Sequence, residues 1–333
     1  MNGATSSTLY AAMPLRTRPR PQCLLCGASG RVVHAQVPDR FFGVPGSWTL
    51  KRCIDRQCGL VWQDPMVVDE DLAKAYDGYY TTHAVPAADG GEGGGRGFGA
   101  GFYFLDRWAA RLLGLGRERQ RHAASYLDDA VPGALLDVGC GNGDFMASMQ
   151  ARGWSVRGTD FDPAAAATAR RTHGVEVDVG ELSAIGYPAG AFDAVTVRHV
   201  VEHVREPVAF LAECWRILKP GGRLVLITPN VDSLGHRHFG ERWRGLEQPR
   251  HLFLFAPASM RALCRKAGVD AAVVGTSAQG AAYVLRASCV ARRGALTRAA
   301  DQLAVWWLQL VEAWRTRRGA GVGEELVSCA VKP

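Results

Sequence analysis

The amino-acid sequence predicts an α/β protein with a mostly parallel sheet, preceded by a small cysteine-rich module. Three observations predict this architecture. Short apolar stretches alternate with amphipathic stretches of helical period over most of the chain. A run of closely spaced glycines follows one apolar stretch, as occurs where a strand turns into a helix beside a ligand. Four of the nine cysteines form two close pairs near the N-terminus, a spacing typical of a metal site.

The size and composition of the chain fit one large domain plus a smaller module. Of its 333 residues, 47% are hydrophobic, which predicts a packed core. No stretch approaches the roughly 20 apolar residues that span a bilayer, and the first residues lack the apolar core of a secretory signal. We therefore expect a cytoplasmic protein.

The net charge of +7 raises the question of a nucleic-acid partner. The arginines are spread along the chain and form no single basic block, so an ordinary basic surface explains the charge equally well. Nucleic acid therefore stays an alternative partner, and a phosphate-bearing small molecule would also suit the charge. Salt-dependent RNA binding would separate the two.

Four segments follow one another along the chain. Residues 1–20 are expected to form a disordered tail and residues 21–65 a zinc-ribbon-like module. Residues 66–101 connect this module to the sheet domain, which we place at 102–333. The connection ends in the run DGGEGGGRGFGAG over 89–101, and glycine at that density predicts a flexible linker.

The paired cysteines predict a structural metal site. They are Cys23-x2-Cys26 and Cys53-x4-Cys58, and two pairs on two turns supply four thiolates, the closed donor set of structural zinc. The second spacer is wider than the common two residues, so redox thiols or unbound cysteines stay open as alternatives. A segment of this size lacks the core to fold alone, and bound zinc would supply folding energy.

The sheet domain is expected to begin with helical residues over 102–128. The predicted strands are 134–138, 154–159, 175–178, 192–197, 223–228, a stretch near 270–277 and 325–331. The predicted helices are one from Asp144 and those over 163–172, 205–218 and 257–267. Because helices separate the strands, we expect a mostly parallel sheet covered on both faces.

The most informative stretch is LLDVGCGNGDF, residues 135–145. Its glycines follow the spacing G-x-G-x-G and not the dinucleotide fingerprint G-x-G-x-x-G. The next strand ends in Asp160, and a carboxylate at that position accepts hydrogen bonds from the ribose hydroxyls of an adenosine ligand. The turn and this carboxylate together predict an adenosine-containing ligand at the edge of the sheet.

Four motifs in order, LLDVGCGNGDF, GTDFDP, FDAVTVRHVVEHV and RILKPGGRLVLITPN, resemble the class I S-adenosylmethionine-dependent methyltransferase family. The resemblance covers about residues 102–333. It implies a Rossmann-like sheet of seven strands whose last strand is antiparallel, with S-adenosylmethionine at the carboxyl ends of the first two strands. It also implies cofactor-binding roles for Asp137, Gly139, Gly141, Gly143, Asp160, Glu181, Leu182 and Arg198.

The runs RCIDRQCGLVWQDPM and AYDGYYTTH resemble the N-terminal segment of a methyltransferase subgroup with a zinc ribbon, which is often linked with sugar or polysaccharide modification. The resemblance implies methyl transfer to a small molecule, with a sugar or polysaccharide precursor as acceptor. Two alternatives stay open. One is an RNA methyltransferase that uses the zinc module to bind nucleic acid, and the other is an accessory protein that binds S-adenosylmethionine and zinc without turnover.

Three residues are candidates for the acid and base chemistry of methyl transfer: His251, His199 and Glu202. A hydroxyl acceptor needs a base with a pKa near neutral, which histidine provides. His251 lies in the loop after the fifth strand, with Arg250 and Phe253 as neighbours expected to orient a substrate. The pattern H-x-x-E-H at His199–His203 matches an inverted zinc-protease motif, but its position after a strand favours the methyltransferase interpretation.

A helix is expected between the last two strands, around residues 303–318. Leu303, Trp307, Leu310 and Trp314 fall on one face of it, and arginines follow. This face predicts packing on its own domain or against a second copy of the chain, a homodimer. The alternative is peripheral contact with a membrane surface.

Overall fold

The computed structural model describes residues 15–76, 115–293 and 299–333. The glycine-rich run at 89–101 and the first part of the helix expected over 102–128 lie outside the described residues.

Short antiparallel strands make up the N-terminal part. They are β1 (Thr17–Arg18), β2 (Gly30–Pro38), β3 (Ser47–Cys53), β4 (Val61–Gln63) and β5 (Met66–Val67). β1 pairs with β5, while β2, β3 and β4 pair in sequence order.

The end of the tail predicted over 1–20 is structured, which corrects that expectation. Arg16 donates from its backbone amide and from its guanidinium to the carboxylate of Asp71, at 2.8 and 3.0 Å. This carboxylate is buried, and a buried carboxylate is stable only when its charge is compensated. Three charge-assisted hydrogen bonds therefore hold the tail against helix α1 (Asp69–Leu72).

The helix that precedes the central sheet is shorter than predicted. Within the described residues it is α2 (Leu115–Ala123), whereas the sequence predicts helical residues as far as 128. Ser125 and Tyr126 adopt positive φ values of 46° and 55°. Side chains with a Cβ rarely adopt this left-handed backbone inside a helix, so the helix ends before them.

The central sheet has seven strands in the order β12-β13-β10-β9-β6-β7-β8. They are β6 (Ala134–Val138), β7 (Ser155–Asp160), β8 (Glu176–Val179), β9 (Phe192–Arg198), β10 (Leu218–Pro229), β12 (Val273–Ser277) and β13 (Glu325–Val331). The five strands from β6 to β10 are mutually parallel, and β13 is antiparallel to both of its neighbours. The predicted seven-stranded α/β fold with an antiparallel last strand is confirmed.

Helices connect the strands across both faces. They are α3 (Asp144–Gln150), α4 (Pro163–His173), α5 (Leu182–Ile185), α6 (Pro207–Arg216), α7 (Leu234–Phe239), α8 (Pro257–Lys266), α9 (Ala281–Arg293) and α10 (Ala299–Arg317). The strand order runs outward from β6 in two directions, and right-handed crossovers then place α3 and α4 opposite α6. Neighbouring strand residues accordingly enter different cores, Leu135 on one side and Leu136 on the other.

The cysteine-rich segment shares a sheet with the rest of the chain. β11 (Phe253–Leu254) pairs antiparallel with β4 and completes a four-stranded sheet in the order β11-β4-β3-β2. Cys53 and Trp62 lie in the same hydrophobic cluster as Phe253 and Phe255. Residues 21–65 are therefore continuous with the core of the sheet domain, and the division into two domains stays a prediction.

Helix α10 presents the predicted apolar face outward. Leu303, Trp307 and Trp314 are exposed, whereas Val305, Glu312 and Ala313 are buried. The expectation that this face packs on its own domain is therefore wrong, because the opposite side of the helix is buried. Among the described residues, no helix combines the length and apolar character required to cross a membrane.

Candidate functional site

The glycine turn joins β6 to α3 at the carboxyl edge of the sheet. Gly139 and Gly143 have φ values of +73° and +83°, a backbone region that favours glycine. A Cβ on Gly139 would lie 2.3 Å from a methyl carbon of Val200, and one on Gly143 would lie 2.9 Å from the Cβ of Ala169. Both positions therefore require glycine. Gly141 faces open space, but its φ of +53° also favours glycine.

Asp160 ends β7 beside this turn. Its two carboxylate oxygens accept hydrogen bonds from the backbone amides of Gly141 and Asp162, each at 2.9 Å. Burial raises the pKa of this carboxyl group. The side chain is thus fixed at the edge where the sequence predicts the ribose, and its position is tied to the central glycine of the turn.

Asp137 is the second-to-last residue of β6, and its side chain is buried. Its Oδ1 accepts a hydrogen bond of 2.7 Å from the hydroxyl of Thr196 on the neighbouring strand. Burial raises the pKa of Asp137 to about 6, although this hydrogen bond and the charge of Arg198 oppose the rise. A carboxyl group with this pKa changes its charge just below neutral pH.

The other predicted cofactor residues follow the third and fourth parallel strands. Glu181 is exposed just before α5, whereas Leu182 is buried in the main core. Arg198 ends β9, with its guanidinium carbon 4.6 Å from the ring centroid of Phe145 in α3. All three residues lie at the carboxyl edge of the sheet, on the same side as the glycine turn.

His199 lies between two buried carboxylates. Its Nε2 is 3.1 Å from Oε1 of Glu325, and its Nδ1 is 3.5 Å from Oε1 of Glu202. Partial burial lowers the pKa of His199, but the two carboxylates outweigh it and raise the pKa to about 10. The imidazole is therefore protonated at neutral pH, and it lacks the free lone pair that the predicted base requires.

Sequence reasoning did not identify Glu325 or His122 as part of this network. The second carboxylate oxygen of Glu325 lies 2.7 Å from Nε2 of His122, so the carboxylate bridges two histidines. The three residues come from α2, from the end of β9 and from the last strand. Only the fold brings them together, although the antiparallel last strand implied by the resemblance already places Glu325 at this edge.

His251 is buried beside His203. Its Nδ1 lies 2.7 Å from the carbonyl oxygen of Gly245, and its ring contacts the ring of His203 edge-to-face with centroids 4.7 Å apart. Burial lowers the pKa of His251 to about 4, so the imidazole is neutral at physiological pH. It can accept a proton or donate a lone pair, although its pKa lies below the near-neutral range expected of the base.

Glu202 connects these histidines. One carboxylate oxygen accepts a hydrogen bond of 2.8 Å from the hydroxyl of Thr228, and the side chain is completely buried. His203 lies 2.9 Å from the hydroxyl of Tyr76, measured at Nδ1. Tyr76 belongs to the run AYDGYYTTH. Nothing near it in the sequence predicts its contact with His203.

The loop that carries His251 is anchored to the cysteine-rich segment. Arg250 donates from both terminal nitrogens to Oδ2 of Asp39, at 3.0 and 2.7 Å, and both side chains are fully buried. Phe253 is buried in β11. The expectation that Arg250 and Phe253 orient a substrate is therefore wrong, since each is already engaged inside the protein.

The four predicted metal-binding cysteines converge at one end of the four-stranded sheet. The sulfur atoms of Cys23 and Cys58 lie 3.6 Å apart and those of Cys26 and Cys53 lie 3.3 Å apart, and all four fall within 4.8 Å of one another. Zinc–sulfur bonds of 2.3 Å in a tetrahedron place thiolates about 3.8 Å apart. The donor set and its spacing therefore fit a closed zinc site.

Comparison with known proteins adds a family. A family model described as "Methyltransferase domain" matches residues 105–272, half of the 333 residues. Over 102 residues, 29% of this chain and 44% of the relative, the sequence is 40% identical to a ubiquinone biosynthesis O-methyltransferase of Pseudomonas paraeruginosa. Over 126 residues, 35% of this chain and 52% of the relative, it is 36% identical to a demethylmenaquinone methyltransferase of Deinococcus radiodurans. The chain thus spans about half the length of the curated relatives it matches.

The solved structures that match are more distant in sequence. A SAM-dependent methyltransferase from Archaeoglobus fulgidus is 17% identical with a TM-score of 0.44, over 69% of this chain and 100% of the other. A geranyl diphosphate C-methyltransferase from Streptomyces coelicolor is 19% identical with a TM-score of 0.42, over 64% of this chain and 79% of the other.

Proposed function

Because the chain belongs to the methyltransferase domain family, we propose that it transfers the methyl group of S-adenosylmethionine to a hydroxyl group of a small-molecule acceptor. The observation that carries the proposal is the buried pair of aspartates, Asp137 and Asp160, around the glycine turn. Their carboxylates meet at one edge of the sheet, and a positively charged ligand with ribose hydroxyls suits both of them.

Different residues at this edge are assigned to different parts of the cofactor. Asp160, held by two backbone amides, is assigned to the ribose hydroxyls. Asp137 and the glycine turn are assigned to the methionine part, and Glu181, Leu182 and Arg198 to the surroundings of the adenine and the methyl group. S-adenosylmethionine, when bound, supplies an electrophilic methyl group on a sulfonium. The chain positions the acceptor oxygen and removes its proton, with His251 as the proposed proton acceptor since it is neutral.

The acceptor class is proposed to be a hydroxylated small molecule, with a sugar or polysaccharide precursor as the first candidate. The subgroup resemblance of the N-terminal segment supports the sugar. The similarity to O-methyltransferases named for ubiquinone biosynthesis supports an oxygen as the methylated atom. The four cysteines are proposed to bind one structural zinc ion, because their donor set is complete without an open position.

The first test is binding of S-adenosylmethionine, measured by calorimetric titration of the wild type and of Asp160→Ala. Losing charge-assisted hydrogen bonds to the ribose should weaken binding by about 1–3 kcal/mol. Asp193→Asn is the matched control, since Asp193 also accepts a backbone amide hydrogen bond, from Ala134 at 2.8 Å, but lies at the amino end of β9, on the opposite edge of the sheet. Equal affinity in the wild type and Asp160→Ala would refute the assignment.

The second test is transfer of a labelled methyl group. Nucleotide sugars, hydroxylated aromatic compounds and RNA are offered in parallel with labelled S-adenosylmethionine. Label in a small molecule supports the proposal, whereas label only in RNA, with salt-sensitive binding, supports the nucleic-acid alternative. Tight cofactor binding with no transfer to any acceptor supports an accessory protein instead.

A further inference from the structure

We propose that Glu202, His203 and His251 form a second metal site, distinct from the four cysteines, that binds one divalent transition-metal ion such as Zn²⁺. One ligand atom from each of the three residues lies within 4.8 Å of the other two. Zinc bound to imidazole nitrogen and carboxylate oxygen at about 2.0–2.2 Å places such atoms about 3.3 Å apart. Small side-chain movements are enough to close the site.

Backbone carbonyls face the Nδ1 atoms of both histidines. Nδ1 of His203 lies 3.1 Å from the carbonyl oxygen of Arg250 and 2.9 Å from the hydroxyl of Tyr76, which can donate or accept. Nδ1 of His251 lies 2.7 Å from the carbonyl oxygen of Gly245. A carbonyl only accepts, so Nδ1 of His251 carries the proton and its Nε2 keeps its lone pair. Metal-binding histidines characteristically donate their other ring N–H to a carbonyl or carboxylate in this way.

The carboxylate of Glu202 also lacks full compensation. Thr228 donates to one oxygen, but the other oxygen, Oε1, is buried and has no hydrogen-bond partner in the described parts of the chain. Its nearest cation is His199, whose Nδ1 is 3.5 Å away, longer than an ordinary hydrogen bond. The imidazolium of His199 compensates part of the charge of Glu202, and Oε1 keeps lone pairs that can bind a metal ion.

A second carboxylate increases the negative charge beside the lone pair of His251. Oε2 of Glu247 lies 3.7 Å from Nε2 of His251 and also pairs with Arg244. With the proton on Nδ1, the nitrogen that faces Glu247 carries no hydrogen. A lone pair and a carboxylate repel each other at that distance, and a metal ion at Nε2 relieves the repulsion.

The backbone fixes the two segments that provide the ligands. The amides of Leu252 and Phe253 both donate to the carbonyl oxygen of Glu202, at 2.9 and 3.1 Å. Leu252, which follows His251, is therefore hydrogen-bonded to Glu202, which precedes His203. Ligands held by hydrogen bonds in this manner keep their spacing without a metal, which lowers the cost of binding one.

The donor set indicates what the metal would do. Two histidines and one glutamate leave a coordination position open, as in catalytic zinc sites, whereas the four cysteines fill theirs. An acceptor hydroxyl in the open position would lose its proton to water more easily, because the metal stabilises the oxygen anion; in the metal-bound protein His251 is a ligand through Nε2 and no longer the proton acceptor. The oxygen then bonds to the methyl carbon as the carbon–sulfur bond breaks, leaving S-adenosylhomocysteine. This role rests on the proposed function, but the existence of the site does not.

The test counts metal ions in the full-length chain. The protein is loaded with zinc, dialysed against metal-free buffer and analysed by mass spectrometry for the wild type, Glu202→Gln and His203→Gln. We expect two zinc ions per chain in the wild type and one in each variant. His236→Asn is the matched control. His236 is a half-buried histidine whose Nδ1 also has a backbone carbonyl partner, Val231 at 2.6 Å, and the variant should keep both ions.

Cobalt substitution identifies which ion is lost. Cobalt bound to thiolates gives intense charge-transfer absorption, which should be unchanged in Glu202→Gln and His203→Gln, while the weaker bands of the second ion disappear. Thermal melting checks folding, and His203→Gln carries the test if Glu202→Gln does not fold. Equal metal content in the wild type and in a folded His203→Gln would overturn the proposal. Neither measurement needs S-adenosylmethionine, so failure here is distinct from failure of the proposed function.

Discussion

At the scale of single residues, Asp137 is the carboxyl group of the proposed cofactor site whose charge changes just below neutral pH. Burial raises its pKa to about 6, and the carboxyl group is proposed to face the positively charged methionine part of the cofactor. A cation prefers the ionised form, and below the pKa the free protein holds a proton there. Cofactor affinity should therefore rise with pH and level off above about pH 6.

We predict that this pH dependence disappears in Asp137→Asn. In the wild type, the affinity for S-adenosylmethionine should fall by up to about tenfold for each pH unit below the pKa of Asp137, since one pKa unit corresponds to about 1.4 kcal/mol. Calorimetric titration between pH 5 and pH 8 measures the profile. Asp193→Asn should keep the wild-type profile, and a slope that persists in Asp137→Asn would show that another group is responsible.

At the scale of elements, the buried carboxyl group of Glu312 joins α10 to the backbone of Glu324, the residue before β13. The backbone amide of Glu324 donates to Oε1 of Glu312 at 2.7 Å, and Trp243 donates to Glu324 at 2.7 Å. Burial and the charge of Glu324 raise the pKa of Glu312 well above its ordinary value. The carboxyl group is therefore neutral in the folded chain where it would be ionised in the unfolded chain.

We predict that Glu312→Gln stabilises the protein increasingly as the pH rises. A carboxyl group whose pKa is raised by folding contributes stability at low pH and loses it as the pH rises towards the folded pKa. Glutamine keeps the acceptor for Glu324 and has no charge to lose. The gain in unfolding free energy should grow by up to about 1.4 kcal/mol per pH unit above the ordinary glutamate pKa, measured by urea denaturation at pH 5, 6.5 and 8. The exposed Glu176→Gln should show no such trend.

The central parallel strands β6, β9 and β10 were predictable because each is mostly buried and rich in apolar residues. Their boundaries were less so. The strand predicted over 223–228 begins at Leu218, since Leu218 pairs with Phe192 before the ladder shifts register at Arg223. On α10 the periodicity indicated the wrong buried face, because the pairing of Glu312 with Glu324 decides which side is covered. Sequence pattern alone does not reveal a buried carboxyl group.

The site was predictable only where its residues are close in sequence. The glycine turn and Asp160 follow consecutive strands, so their meeting at one edge follows from the parallel topology. The group formed by Glu202, His203 and His251 depends on how the loop after β10 returns to the end of β9. Nothing close to His199 in the sequence indicates its charge, which depends on Glu325 in the last strand. Contacts of this kind need the fold.

At the scale of the whole molecule, the cysteine-rich segment is part of the structure that supports the site. Gln63 donates to Gln248 at 2.7 Å, and Arg250 pairs with Asp39 with both side chains fully buried. Breaking a buried ion pair by removing one partner costs about 3–5 kcal/mol. The loop that carries His251 is thus held between the cysteine-rich sheet and the central sheet, and the two should unfold together.

The last prediction is that loss of the cysteine-bound zinc destabilises the entire chain. In Cys53→Ser the proposed zinc ion is lost from one end of the four-stranded sheet, and β11, paired with β4, transmits the loss to the loop of His251. We expect one thermal transition at a lower temperature, and weaker binding of S-adenosylmethionine than in the wild type. Cys329→Ser is the control, since Cys329 lies outside the cluster of four. Two separate transitions, with the upper one at the wild-type temperature, would show that the cysteine-rich segment is an independent domain. A single shifted transition would instead mean that the metal stabilises the sheet domain through the strand they share.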